Sequence, residues 1–181
     1  GKGHEARLRE LGLDPERWFA CVYWREPGFN DRPAHPLRDI LDPAPYFAAI
    51  DHIVDTLGGQ VVRLGHPTDT PLRSHPDILD IAKLEDSLMT QIVAISLARF
   101  FIASPSGPLT FGSAFGTPTA VTDNIDISGV WNDHDLLMTQ KITTPDGHRV
   151  QGRTAFDAGL LKAGLAGQLV SSDSGYSYAK N

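Results

Sequence analysis

The sequence predicts an α/β fold in which a parallel β-sheet is covered by helices on both faces. Short apolar runs alternate with longer amphipathic segments along the chain, and this alternation is typical of strands joined by helical crossovers. The first run, residues 17–24, is apolar almost throughout, as expected of a strand buried on both faces. A chain of 181 residues can bury a sizeable core. We therefore expect a single domain over residues 1–181.

The first half of the chain supplies two strands and two helices of this prediction. An apolar stripe at Phe47, Ile50, Val54 and Leu57 predicts the second helix, and the Gly58-Gly59 pair that follows is a helix stop. The predicted elements are an opening helix at about 4–11 within residues 1–16, a strand at 17–24, a loop at 26–42, a helix at 45–57 and a strand at 60–64.

The second half continues the alternation and then becomes less regular. Residues 65–76 hold three prolines and no apolar period, which indicates a loop. After it we expect a short strand or turn at 77–82, a helix from 86 or 87 to 98, a strand at 100–103, a helix at 108–114 and a strand at 119–122. The extension at 125–181 contains a predicted strand at 136–142, a turn at 146–147 and a helix within 154–165.

Charge and composition exclude several functional classes. The 16 basic and 22 acidic residues give a net charge of −6, so we expect no binding to nucleic acid, which requires a basic surface. Any phosphate must be held by a few local groups. Cys21 is the only cysteine, no apolar stretch is long enough to cross a membrane, and the opening residues lack the apolar core of a signal peptide. These features predict a cytoplasmic protein without a transmembrane segment.

One strand-to-helix turn predicts a phosphate site. An apolar strand ends at Ser104, and Ser106, Gly107 and Pro108 follow. Proline at the first helical position loses no internal hydrogen bond, so a helix N-terminus with free N–H groups would open at the carboxyl end of a strand. The serine hydroxyls can add donors. The alternative is that Ser106 only caps the helix and Gly107 only permits the turn.

Two arginines lie at the same predicted edge of the sheet. Arg25 follows the first strand and Arg63 lies within the second, where a buried strand should be apolar. A buried guanidinium must be ion-paired or bind an anion, because its desolvation is costly. An ion pair with Glu26, Asp80 or Glu85 stays open for each arginine alone. Together with the Ser106 turn, the two arginines predict a site for a nucleotide diphosphate.

Other chemistry finds little support in the sequence. The histidines show no metal-ligand spacing, and the glycine motifs of P-loop NTPases, dinucleotide dehydrogenases and serine hydrolases are missing. We therefore expect no metal and no cofactor. Asp77 and Asp80 could be acid/base carboxylates, although a solvated turn is the commoner arrangement, and Asp80 beside a strand end could bind a base or a ribose hydroxyl.

Five short motifs occur in a fixed order between residues 18 and 124. They are WFACVYWREPGF at 18–29, GGQVVRLG at 58–65, DIA at 80–82, RFFI with SGP at 99–108, and FGTP at 115–118. Together they resemble a bacterial glycosyltransferase family with the pattern W-F-V-C-L-H-x-R-E-P-G-Y, G-G-x-V-V-R-M-G, D-Y-A, C-R-F-F-I-G-T-x-S-G-L and F-G-x-P. Residues 135–141 and 175–181 extend the resemblance weakly. Tyr23 stands where the family often has His, and residues 103–105 depart from its Gly-Thr-x.

The resemblance implies a fold and a reaction. Members of the family look like two-domain GT-B enzymes with a cleft between Rossmann-like halves, and the matched motifs belong to the C-terminal, donor-binding half. The chain would then be a Rossmann-like domain whose acceptor-binding half is lost or left out. The implied reaction transfers a sugar from a nucleotide-sugar donor to the glycan acceptor of a bacterial surface polysaccharide, without a bound metal. The implied location is cytoplasmic, at the inner face of the membrane through partner proteins.

The resemblance also assigns residues. It implies that the donor diphosphate is held by Arg25, Arg63, Ser106 and Gly107, to which Ser104 would add its hydroxyl. It places Asp80 and Ala82 beside the nucleoside, and Glu26 and Asn124 along the cleft. In such enzymes the general base usually comes from the other half, and within this chain Glu26 is the best candidate.

Two other functions are compatible with the same residues. A nucleotide-sugar epimerase of similar build would need acid/base carboxylates beside the sugar, for which Asp77, Asp80 or Glu85 could serve. A non-catalytic nucleotide-binding module would keep the fold without the chemistry. Incubation of a donor without an acceptor distinguishes epimerisation from transfer, and turnover distinguishes both from binding alone.

Overall fold

The computed structural model describes residues 2–28, 34–35, 37–67, 69–84, 87–125, 127, 131–161 and 175–181. The helices of this part of the chain are α1 (Lys2–Glu10), α2 (Ala44–Asp51), α3 (Leu88–Leu97), α4 (Leu109–Phe115) and α5 (Gly152–Asp157). A π-helical turn, His52–Thr56, continues α2, and a 3-10 turn, Ile81–Lys83, follows β3. The strands are β1 (Phe19–Tyr23), β2 (Gln60–Arg63), β3 (Ile78–Asp80), β4 (Phe100–Ala103), β5 (Thr119–Asn124), β6 (Leu136–Thr139), β7 (Lys141–Thr143) and β8 (Ser177–Ala179).

Six of the strands form one parallel sheet in the order β3-β2-β1-β4-β5-β6. From β1 the chain moves outward through β2 to β3, and it then returns to the other side of β1 and moves outward through β4 to β6. The order therefore reverses between β1 and β4. In open α/β sheets this switch point leaves a crevice at the carboxyl ends of the strands, where ligands bind.

Helices cover both faces of the sheet, as predicted. On one face Leu8 of α1, Ile95 of α3 and Leu109 of α4 join a buried cluster that includes Cys21. On the other face α2 and its π-helical turn pack over Ala20, Val22 and Val61. The β1 side chains thus alternate between two apolar layers, which explains why this strand is apolar almost throughout. Burial also raises the pKa of the Cys21 thiol.

The predicted strand at 136–142 is divided into two strands that belong to different sheets. β6 joins the main sheet, whereas β7 pairs antiparallel with β8 in a small second sheet. Gln140 separates them because its backbone N–H donates to the Asn124 carbonyl oxygen at 2.8 Å and its amide donates to the carbonyl oxygens of Leu37 and Asp123. Gln140 is buried at 3% exposure, so these bonds satisfy a polar group that cannot reach water.

The small sheet has an apolar cluster of its own. Ile142, Ala155, Leu160 and Leu161 are buried in it. The helix predicted within 154–165 is α5, which ends at Asp157, and residues 162–165 of that prediction lie outside the described residues. Among the described residues no helix combines the length and apolar character needed to cross a membrane.

Candidate functional site

A cavity of about 600 Å³ opens at the carboxyl edge of the sheet, beside the switch point. Three of its walls follow parallel strands: Tyr23, Arg25 and Glu26 at the end of β1, residues 65–67 and 69 after β2, and residues 106–108 after β4. Parallel register brings these strand ends together, since Tyr23 lies opposite Ala103 and Val22 lies opposite Arg63. The cavity therefore occupies the place where α/β folds of this kind bind ligands.

Two arginines line the cavity. Arg25 Nε lies 2.7 Å from Asp39 Oδ1, and the Asp39 side chain is only 2% exposed. Arg38 precedes this aspartate in the chain and lines the same cavity. Burial raises the pKa of the nearby Tyr23 phenol, whereas a Ser106 hydrogen bond and the positive charges of Arg25 and Arg38 act in the opposite direction. Tyr23 therefore remains a neutral hydrogen-bond donor at neutral pH.

The Ser106 turn forms the adjoining wall. Ser106 Oγ donates to the Ser104 carbonyl oxygen at 3.1 Å, and both Ser106 and Gly107 line the cavity. Ser104 is fully buried, and its Oγ accepts the Arg25 N–H at 2.9 Å. The Ser104 hydroxyl thus ties the end of β4 to the segment after β1. Its place is behind the cavity wall, where it holds the Arg25 backbone.

Arg63 is buried in a cluster of carboxylates. Its guanidinium lies 3.5 Å from Glu26 Oε1, 3.5 Å from Asp69 Oδ2 and 3.3 Å from Asp80 Oδ1, and the Arg63 side chain has no exposed surface. The guanidinium carbon also lies 4.4 Å from the centre of the Trp24 ring. Of the two interpretations left open by the sequence, this geometry is the ion-paired one. Glu26 and Asp69 line the cavity and contact Arg63, whereas Arg63 itself does not line it.

Glu26 lines the cavity, but donors occupy both of its carboxylate oxygens. Oε2 accepts the Thr70 N–H at 2.9 Å and the Thr70 hydroxyl at 2.7 Å. Oε1 accepts the Trp24 indole N–H at 2.6 Å and lies within reach of Arg63. A carboxylate engaged in this way fixes the loop that contains Thr70, and its oxygens are already committed as acceptors.

The loop after β2 is held in place along its length. Gly65 exchanges two hydrogen bonds with the Gln91 amide, at 3.1 Å and 3.0 Å. Asp69 Oδ2 accepts the His66 N–H at 2.7 Å, and Lys83 Nζ donates to the Asp69 carbonyl oxygen. Burial raises the pKa of the Asp69 carboxyl, against the opposing effects of the His66 N–H and the Arg63 charge. This fixed loop shapes one wall of the cavity.

Three other residues assigned from the resemblance lie away from the cavity wall. Asp80 Oδ1 accepts the Ala82 N–H at 3.3 Å, caps the 3-10 turn and contacts Arg63. Ala82 is fully buried and Asn124, at the end of β5, is 5% exposed. Phe29 of the first motif and Glu85 lie outside the described residues.

The sequence pattern does not single out two residues that line the cavity, Arg38 and Gln91. Arg38 follows a loop without apolar periodicity, and Gln91 is one polar residue on an amphipathic helix, so neither position stands out by type or spacing. The best indication for Arg38 was its neighbour Asp39, an acidic residue close in sequence to the predicted anion site. Among the described residues no group of three or more His, Cys, Asp or Glu side chains is arranged to hold a metal ion.

Of the comparisons with known proteins, the similarity to a solved structure supports the fold. No protein-family model matches the chain, and no curated protein matches its sequence. Among solved structures, it is similar to the crystal structure of a glycosyl transferase family 9 protein from Veillonella parvula, with a TM-score of 0.55 and 18% identity. The similarity covers 93% of this chain and 49% of that protein. The chain thus spans about half the length of the solved structure and shares its α/β, Rossmann-like fold.

Proposed function

We propose that the chain is the nucleotide-sugar-binding part of a glycosyltransferase that transfers a sugar to the glycan acceptor of a bacterial surface polysaccharide. The observation that carries the proposal is the convergence of Arg25, Arg38 and the Ser106-Gly107 turn on one cavity at the switch point of the sheet. The similarity in fold to half of a glycosyl transferase family 9 protein supports it. We include in the proposal a cytoplasmic location, at the inner face of the membrane through partner proteins.

The charge of the cavity suits a diphosphate. Guanidinium groups bind phosphate oxygens through paired N–H donors, and Arg25 and Arg38 place two such groups in one cavity. The Tyr23 hydroxyl and the backbone at Gly107 add neutral donors, whereas the Ser106 hydroxyl already donates to the Ser104 carbonyl oxygen. Because the whole chain carries a net charge of −6, attraction for an anion must come from such a local arrangement.

The same groups can assist the departure of the nucleotide. In sugar transfer the acceptor oxygen bonds to the anomeric carbon, the bond from that carbon to the terminal phosphate oxygen breaks, and the nucleoside diphosphate gains negative charge. Donors that are fixed before the reaction stabilise this charge. Asp39 holds the Arg25 guanidinium and Ser104 holds the Arg25 backbone, so this donor needs little reorganisation.

Glu26 is assigned to the wall of the donor site. Its oxygens already accept from Thr70 and Trp24, so we assign the abstraction of the acceptor proton to a base in an acceptor-binding half. A general base must lie within about 3 Å of the proton that it removes, and an acceptor-binding half would place both partners.

The epimerase alternative gains no support from this geometry. Asp77 is paired with Arg17 and Asp80 with Arg63, and neither aspartate lines the cavity. The third candidate, Glu85, lies outside the described residues. Acid/base carboxylates for epimerisation would have to face the sugar in the cavity. Binding without turnover by the full-length protein would instead favour the non-catalytic module.

Isothermal titration of UDP, ADP, GDP and the matching nucleotide sugars tests the proposal. We expect at least one of them to bind, and Arg25→Met and Arg38→Met to raise its Kd about 10- to 100-fold, because each variant loses hydrogen bonds to a charged group.

Arg73→Met is the matched control. Arg73 is 43% exposed and paired with Asp51 and Asp55 outside the cavity wall, so its loss should leave the Kd unchanged. The proposal fails if none of these ligands binds, or if the Arg73 variant weakens binding as much as the two cavity variants do.

A further inference from the structure

The segment after β8 contacts the turn that carries Arg38. Lys180 Nζ donates to the Leu37 carbonyl oxygen at 2.6 Å, and Gln140 Nε2 donates to the same oxygen at 2.6 Å. Leu37 is buried. Two side chains from the C-terminal part of the chain therefore fix the peptide group that leads into Arg38.

This turn determines the positions of both cavity arginines. Arg38 follows Leu37 directly and lines the cavity, and Asp39 holds Arg25 Nε at 2.7 Å. The Arg38 and Asp39 N–H groups both donate to the His35 carbonyl oxygen, at 3.0 Å and 2.9 Å. The next residue, Ile40, donates its N–H to the Arg25 carbonyl oxygen at 2.7 Å. A displacement of the turn would therefore move one arginine and release the other.

We propose that Lys180 is a positioning residue for the anion site, because its ammonium group fixes the Leu37 carbonyl and thereby the placement of Arg38 and of the Asp39–Arg25 ion pair. The inference rests on the proposed function. The inference also assigns a role to the small second sheet, because its strand β8 leads directly into Lys180 at the carboxyl edge of the main sheet.

The electrostatic surroundings of Lys180 support this role. Partial burial lowers the pKa of the Lys180 ammonium, while the carboxylates of Asp123 and Asp39 favour its charged form. The neighbouring Asn181 binds independently, through its N–H to Asp123 Oδ1 at 2.7 Å and its amide to the Thr139 carbonyl oxygen at 2.8 Å. Loss of the ammonium group alone should therefore leave the strand attached.

The test compares Lys180→Met with Lys141→Met. Methionine keeps an unbranched stem of similar length and removes the donor. Lys141 belongs to β7 of the same small sheet and is exposed, so its variant controls for any general effect on that sheet. Inorganic pyrophosphate is the titrant because it tests the anion site without a nucleoside, and hydrogen exchange of the residue 38–40 amides follows the turn directly.

We expect Lys180→Met to raise the pyrophosphate Kd about three- to tenfold, the factor that corresponds to one net hydrogen bond, and to speed exchange of these amides. Lys141→Met should change neither quantity, and Lys180→Arg, which retains donors, should restore part of the affinity. Wild-type affinity in Lys180→Met, equal losses in the Lys141 variant, or a Lys180→Arg variant as weak as Lys180→Met would each overturn the inference.

If the proposed function itself is wrong, the binding experiment gives a different result. In that case wild-type protein binds neither pyrophosphate nor any nucleoside diphosphate, and the inference falls with it. If wild-type protein binds these ligands and the Lys180 variants bind them equally well, only the inference is wrong.

Discussion

The arginines at the carboxyl edge of the sheet lie in two different environments. Arg25 and Arg38 line the cavity, whereas Arg63 does not line it and has no exposed surface. In the sequence Arg25 and Arg63 look alike, because each accompanies an apolar strand. Their environments differ because folding brings Asp69 and Asp80 to Arg63, and a desolvated guanidinium needs such partners.

Replacement of Arg63 should therefore affect stability before it affects binding. Arg63→Met leaves Glu26, Asp69 and Asp80 without their shared cation, and we expect a loss of about 3–5 kcal/mol in the free energy of unfolding, the range for one partner of a buried ion pair. Urea denaturation at neutral pH measures the loss. The exposed Arg73→Met control should lose at most about 1 kcal/mol.

The pH dependence of the free energy of unfolding gives an independent check on Arg63→Met. The Arg63 charge lowers the pKa of Asp69 against the effect of burial, so its removal should raise that pKa further. A carboxyl with a raised pKa in the folded state contributes stability at low pH and loses it as pH rises through that pKa. The stability that Arg63→Met loses relative to the wild-type protein should therefore increase from acidic to neutral pH. A variant of wild-type stability that loses pyrophosphate affinity would instead make Arg63 a ligand, as the resemblance implies.

The loop after β2 is the element that joins the sheet to the cavity. It begins at Gly65, whose φ of +152° is rare for other residues, and a Cβ there would collide with the Asp69 carboxylate and contact the Ala82 Cβ. Glycine is therefore required for two reasons at once, conformation and space. The close approach lets Asp69 lie against Arg63 while its backbone shapes the cavity.

Gly65→Ala should consequently cost more stability than alanine at an open position of positive φ. Gly147, with φ +87° and nothing near its missing Cβ, is the matched control, and Gly147→Ala should cost about 1–2 kcal/mol for the backbone alone. We expect Gly65→Ala to exceed this cost in urea denaturation and also to weaken nucleotide binding, because Asp69 must move. Equal costs with unchanged affinity would show that the loop adapts without consequence for the site.

The strands of the main sheet followed closely from the sequence, and the C-terminal elements did not. The strands at 19–23, 60–63 and 100–103 lie within the predicted ranges because a buried parallel strand needs a continuous apolar run. The break between β6 and β7 at Gln140 depends on hydrogen bonds to the carbonyl oxygens of Leu37 and Asp123. These contacts cannot be predicted from the local sequence pattern. β8 was not predicted, since three residues that alternate in exposure carry little periodicity.

At the scale of the whole molecule, the proposed donor site lies in a chain that matches about half of a solved glycosyl transferase structure. The chain covers 49% of the glycosyl transferase family 9 structure that it resembles. Arg25 and Arg38 line its cavity, while the carboxylates Glu26 and Asp69 accept hydrogen bonds from other residues. Sugar transfer also requires an acceptor hydroxyl held in line with the anomeric carbon.

We therefore expect residues 1–181 to bind a nucleotide sugar without efficient transfer. Release of nucleoside diphosphate should be weak and should not increase when a matched acceptor glycan is added, because positioning supplies much of the catalytic effect. An assay of glycan product and released nucleotide measures this. Robust transfer by these residues alone would require a base within them, and Glu26→Gln would be the first variant to examine.

The sequence by itself determined the α/β class, the parallel sheet and the edge at which the candidate site lies. These features depend on apolar periodicity and on turn residues that are local in the chain. Tertiary structure alone decided which arginines reach the cavity. Arg38 lines it next to a peptide group that Lys180 and Gln140 hold, and Arg63 does not line it and is surrounded by three carboxylates from separate segments. The role of a charged side chain depends on its solvation and its partners, and both are fixed only when distant segments meet.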